Sequence, residues 1–184
     1  MKKLFTIAVA ILGSTVAATA QNASSTATQT TNLNLSNAIE MTFLNSNSAT
    51  GNAVNLDFST VNDYANGVAS AAQDIRVRSN KRFSVSVKAN TSTFTYTGST
   101  TPAPTMPVWG TLGLMVNANN TGGTIAWPFS DDYYLSFTTS AWTLISNGTN
   151  GGNQTFSVKY KAAPGFAYPA GTYTVDVVYT ATQQ

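Results

Sequence analysis

Tyr168-Pro169-Ala170-Gly171-Thr172-Tyr173-Thr174-Val175-Asp176-Val177-Val178-Tyr179-Thr180-Ala181-Thr182 is a turn followed by the clearest strand signal in the chain. Tyr173, Val175, Val177, Tyr179 and Ala181 share one parity. Thr172, Thr174, Asp176, Thr180 and Thr182 take the other, and only Val178 breaks the alternation. A period of two with one apolar and one polar face predicts a half-buried strand. Pro169 and Gly171 supply the sharp turn before it. As the last strand of the sequence, it either closes a sheet or leaves an edge open beside it.

Working outward, the same period recurs. Ile39, Met41 and Phe43 alternate with Glu40 and Thr42, and Val54, Leu56 and Phe58 alternate with Asn55 and Asp57. The polar stretch 45–52 between them reads as a hairpin loop. Ile75, Val77, Phe83, Val85, Val87 and Ala89 flank Ser79-Asn80-Lys81, which predicts a second hairpin, and Phe94 and Tyr96 continue the pattern. Short strands are further expected over 108–116, 124–127, 133–137, 141–145 and 154–160. Pro102, Pro104 and Pro107 remove three donors from one short crossing, which places it at an edge between sheets. The connection 59–72 holds the one helical candidate, over 68–73. Ten or more short strands without a strong helix specify an all-β fold, a β-sandwich.

Lys2 and Lys3, the apolar run 4–12 and Ala18-Thr19-Ala20 form the three regions of a signal peptide over 1–20. The chain is therefore expected to be exported, to the periplasm, the cell surface or the medium. No later run reaches the length of a spanning helix, so no membrane insertion is expected. Residues 21–32 are Thr, Ser, Asn, Gln and Ala, too polar to offset their ordering entropy, and read as a flexible N-terminal extension. The sandwich domain is assigned to 33–184, with Leu33 and Leu35 at its start.

The chain contains no Cys and no His. That excludes disulfides, thiol catalysis and the commonest general base, and the carboxylates are scattered, so no catalytic residue, cofactor or resident metal is expected. Removing Lys2 and Lys3 from the nine basic residues leaves seven against seven acidic ones. Such a neutral chain is a poor partner for nucleic acid. Arg76, Arg78, Lys81, Arg82 and Lys88 cluster on the second hairpin and would make one sheet face cationic, as edge protection or as an anion or subunit patch. Asp131-Asp132 reads as a capped turn or, with Asn117, Asn119 or Asn120 close by, as oxygen ligands for Ca²⁺. Trp109, Trp127 and Trp142, with Tyr133 and Tyr134, are core aromatics or a sugar-stacking platform.

The run from Tyr168 to Tyr179, with its Pro-Ala-Gly-Thr-Tyr turn, resembles the closing strand of spore-coat-U-like and chaperone-usher pilin subunits. Leu56-Asp57-Phe58-Ser59 followed by Ile75 to Val87 is similar to their strand, loop and hairpin order, with Ser59 where Gly is usual and no disulfide. Ala141-Trp142-Thr143-Leu144 is also similar to a Trp-x-Leu motif of some Gram-positive surface domains. The resemblance implies an all-β, immunoglobulin-like (pilin-like) antiparallel β-sandwich lacking one strand, completed by an N-terminal segment of another subunit, with Tyr173, Val175, Val177 and Tyr179 lining the open groove and Leu33 and Leu35 on the donor side. The implied function is a secreted structural or adhesive surface subunit whose partners are copies of itself, related subunits or a periplasmic chaperone. The alternative is a secreted carbohydrate-binding module that stacks glycans on Trp109, Trp127 and Trp142.

Overall fold

Phe83-Ser84-Val85-Ser86-Val87-Lys88-Ala89 buries every odd position and leaves every even one half-exposed, as a strand with one face on a core must. The computed structural model describes residues 24–184, and the expected signal peptide over 1–20 lies outside them. Two units are distinguished, 1–35 and Ser36–Gln184. In the first, residues 24–35 carry neither helix nor strand, and Leu33 and Leu35 are 78% and 87% exposed.

The second unit contains twelve strands and one short helix: β1 (Ile39–Phe43), α1 (Val61–Asn66), β2 (Val68–Ala69), β3 (Gln73–Ser79), β4 (Phe83–Ala89), β5 (Thr95–Thr97), β6 (Leu112–Asn120), β7 (Thr124–Ile125), β8 (Leu135–Ser136), β9 (Trp142–Gly148), β10 (Gly151–Ala162), β11 (Thr172–Thr174) and β12 (Val177–Gln183). One antiparallel sheet runs β1-β3-β10-β6-β8, with β2 also on β10, and a second runs β12-β4-β9-β7. β11 and β5 form a separate ribbon. Inward residues of both sheets share one core, in which Ile75, Val77, Phe83, Val85, Val87 and Leu144 are fully buried. The described residues thus form an all-β, antiparallel, immunoglobulin-like sandwich, the β-sandwich class that the alternation predicts. The Tyr173 hydroxyl donates to Pro169 O four residues upstream (2.8 Å), a contact familiar from the corner tyrosine of such sandwiches.

Several local expectations are corrected. β3 and β4 are not a hairpin, because β3 pairs with β1 and β10 while β4 pairs with β12 and β9. Residues 80–82 cross between the sheets instead, since a three-residue link spans the roughly 10 Å between packed sheets and facing apolar sides bury more than adjacent ones. The basic residues are therefore divided. Arg76 and Arg78 lie on the first sheet, Lys88 on the second, and Lys81 and Arg82 at the crossing. No single cationic face forms.

Residues 54–58 keep their alternating burial but join no ladder, because β1 pairs with β3 rather than with them. The helix lies at 61–66, ahead of the expected 68–73. Thr60 and Asp63 form a reciprocal capping box, and the Gly67 N–H, at φ 76°, donates to Asp63 O (2.8 Å) and ends the helix. The Thr60 N–H, then the Thr60 hydroxyl and the Ser59 N–H, hold the Asp63 carboxyl below its ordinary value.

Candidate functional site

The C-terminal alternation is realised residue for residue. Tyr173, Val175, Val177, Tyr179 and Ala181 are half-buried, their polar neighbours are exposed, and Val178 is again the exception. The strand itself is broken in two, since β11 pairs with β5 and β12 with β4. None of the inward residues is fully covered, because β12 is an edge of its sheet.

The ladder between β12 and β4 fixes which backbone groups are used. Asn90 N–H donates to Asp176 O (2.9 Å), and Gln184 N–H donates to Arg82 O (2.8 Å). Between these, Val178 stands opposite Lys88, Thr180 opposite Ser86 and Thr182 opposite Ser84. Bonded and non-bonded pairs alternate in an antiparallel ladder, so Val178, Thr180 and Thr182 direct their N–H and C=O groups to β4. Val177, Tyr179 and Ala181 turn theirs outward, where no described backbone group bonds them. The same residues point their side chains inward, so the open edge and the apolar lining coincide.

Facing this edge is a groove of about 1140 Å³. Met41 and Phe43 of β1, Leu56 and Phe58, and Val175, Val177 and Tyr179 are among its lining residues, together with polar ones such as Asn55, Asp57 and Gln73. Along residues 51–58 no backbone–backbone hydrogen bond forms among the described residues. Two segments that line the groove, β12 and residues 51–58, therefore carry free main-chain groups.

Side chains hold the two ends of the C-terminal alternation. At one end the Tyr96 hydroxyl donates to Ala170 O (3.1 Å), and the Tyr96 and Tyr173 rings lie 5.0 Å apart. A Cβ on Gly171 would stand 2.3 Å from Tyr96 Cε2, so the turn requires glycine for close approach. At the other end Gln183 Nε2 donates to Ala38 O (2.8 Å) and to Asn80 Oδ1 (2.9 Å), which ties β12 to the start of β1. Within the groove the Tyr179 ring meets Phe43 edge-on at 6.0 Å. Its hydroxyl is 2.6 Å from that of Tyr160 on β10. Burial pushes the Tyr160 hydroxyl up to about 12 and raises Tyr179 well above its ordinary value.

The structure thus brings Tyr173, Val175, Val177 and Tyr179 to one groove. Leu33 and Leu35 belong to the other unit. Phe43, Leu56, Phe58 and Tyr160 were not singled out as site residues from the sequence. The alternation at Val54, Leu56 and Phe58 carries part of that signal, while Tyr160 carries none. Of the tryptophans, Trp142 packs against the core, Trp109 is 54% exposed and Trp127 is 89% exposed. The Asp132 N–H donates to Ser130 Oγ (3.0 Å). Asn119, at the end of β6, donates to Gly123 O and accepts from the Thr121 N–H and hydroxyl. Among the described residues no three His, Cys, Asp or Glu side chains come together as a metal site would need, and no helix is long and apolar enough to cross a membrane. A scan of protein-family models finds no match to the chain, and a search of curated proteins finds none either.

Proposed function

We propose that this chain is a secreted structural or adhesive surface subunit whose sandwich takes up a β-strand from another chain along β12. The observation that carries this reading is the outward set of N–H and C=O groups at Val177, Tyr179 and Ala181 beside a groove whose lining includes Met41, Phe43, Leu56 and Phe58. An unpaired edge templates strand addition: main-chain bonds provide affinity, and alternate side chains seated in pockets provide specificity. The fitting partner is an extended segment whose alternate side chains seat in the groove, from a copy of this chain or a related subunit. A periplasmic chaperone covering the groove before assembly fits the same chemistry. The export signal read over 1–20 supports a role outside the cytoplasm.

The test compares the chain starting at Gln21 with one starting at Leu33, by size exclusion and thermal melting. If the polar extension supplies the strand, its removal abolishes heat-resistant multimers, or lowers the melting temperature when the extension folds back on its own sandwich. Two equally stable monomers under all conditions would sink both versions of strand donation.

A further inference from the structure

We infer that the aromatic surface around Trp127 is a binding site for neutral carbohydrate. Trp127 is 89% exposed, yet the backbone beneath it is fixed on both sides. The Ala126 N–H donates to Leu144 O (2.9 Å), and the Phe129 N–H donates to Ala126 O (2.9 Å), closing a tight turn. Phe129 itself is only 5% exposed. The Tyr133 hydroxyl donates to Pro128 O, which sets a second exposed ring beside the turn. Trp109, half-exposed, stands edge-on to Trp142 at 6.1 Å, and Trp142 stands edge-on to Phe129 at 6.3 Å. Trp127 and Tyr133 are thus presented by the fixed turn, and Trp109 by Trp142, which is partly buried and packs against the core beside Phe129. A ring presented on a fixed base loses little entropy when a ligand stacks on it.

The polar groups nearby choose the ligand class. Between Ala126 and Trp142 there is no Lys or Arg, while Asp131 and Asp132 expose two carboxylates and Thr139 and Ser140 two hydroxyls. Anionic polymers are repelled by such a loop. A protein interface core favours a continuous apolar patch with few charges, whereas this loop exposes two carboxylates and two hydroxyls along with its rings. A pyranose has the matching alternation, with an apolar C–H face for an indole and hydroxyl donors at its rim for the carboxylates. The loop follows β7, and β7 and β12 are opposite edges of the second sheet. Strand addition at β12 would leave this surface free, so the inference does not rest on the assembly reading.

The chain has three tryptophans, which give three indole N–H signals in a nitrogen-correlated NMR spectrum. The experiment screens the exported chain on an array of neutral pyranose oligosaccharides and titrates the hits by NMR, with tetramethylammonium and a sulfated dextran as charged controls. The Trp127 signal, assigned with Trp127→Phe, should move with the neutral oligosaccharide while that of Trp142 stays in place. Trp127→Ala should weaken binding about tenfold, the loss of one stacked ring, with an unchanged melting temperature. An array without hits overturns the inference. So does binding that survives Trp127→Ala, or an indole response only to the ammonium or the sulfated polymer.

Discussion

Tyr160 and Tyr179 place two hydroxyls in contact between the sheets, and the consequence is a stability limit at high pH. Burial raises both groups above the ordinary tyrosine value, Tyr160 to about 12. Their folded pKa values exceed the unfolded one, so the folded state holds its protons more tightly. That stabilisation is complete below pH 10 and is lost as pH rises from about 10 through 12. Circular dichroism melts should therefore be flat through neutral pH and fall steeply across that window. Tyr179→Phe leaves a buried Tyr160 hydroxyl without its partner, which costs about 1–3 kcal/mol at neutral pH, and it makes the alkaline fall shallower. A fall of unchanged steepness in the variant would contradict the assignment. The inward parity of Tyr179 was legible from the alternation 173–181. Its pairing with Tyr160 was not, because it depends on which two sheets face each other.

Among the elements, β12 makes the sharpest prediction. Its amides should fall into two classes by hydrogen exchange: Val178, Thr180 and Thr182 protected by β4, and Val177, Tyr179 and Ala181 exchanging freely in the monomer. If strand addition occurs, the second class becomes protected in the multimer. Uniform protection in the monomer would show the edge already covered. Local signals served these elements unequally. Thr60-Val61-Asn62-Asp63 is a capping signature that places α1 correctly when read as one, whereas the Ala-rich stretch 68–73 carries no cap and forms no helix. The turn at Ser79-Asn80-Lys81 is compatible with a hairpin or a crossing, because three residues span either distance. Only the partners waiting on each side of β3 and β4 decide between them.

For the molecule as a whole, stability rests on one apolar core, since there is no disulfide and one ion pair, the exposed Arg78–Glu40 contact at 3.4 Å, among the described residues. Exposed pairs of that kind contribute little. Phe83 is fully buried, and its ring fills the space a side chain on Gly148 would occupy, with Cζ 2.6 Å from an added Cβ. Phe83→Ala should cost about 3–5 kcal/mol, a large share of the roughly 5–15 kcal/mol that holds a domain folded. A urea midpoint close to that of the parent chain would refute a single shared core. What the sequence by itself determined is the class and the faces. Period-two alternation is a local property, set by the opposite directions of successive side chains, so the core positions of β3 and β4 and the half-buried parity of 173–181 could be read directly. The tertiary structure alone decided which strands pair, that 54–58 stay outside every ladder, and that β12 ends as an open edge facing a groove. Strand pairing is a contest among distant segments for the same backbone donors and acceptors, and its outcome depends on chain connectivity and the volume between sheets rather than on any one stretch.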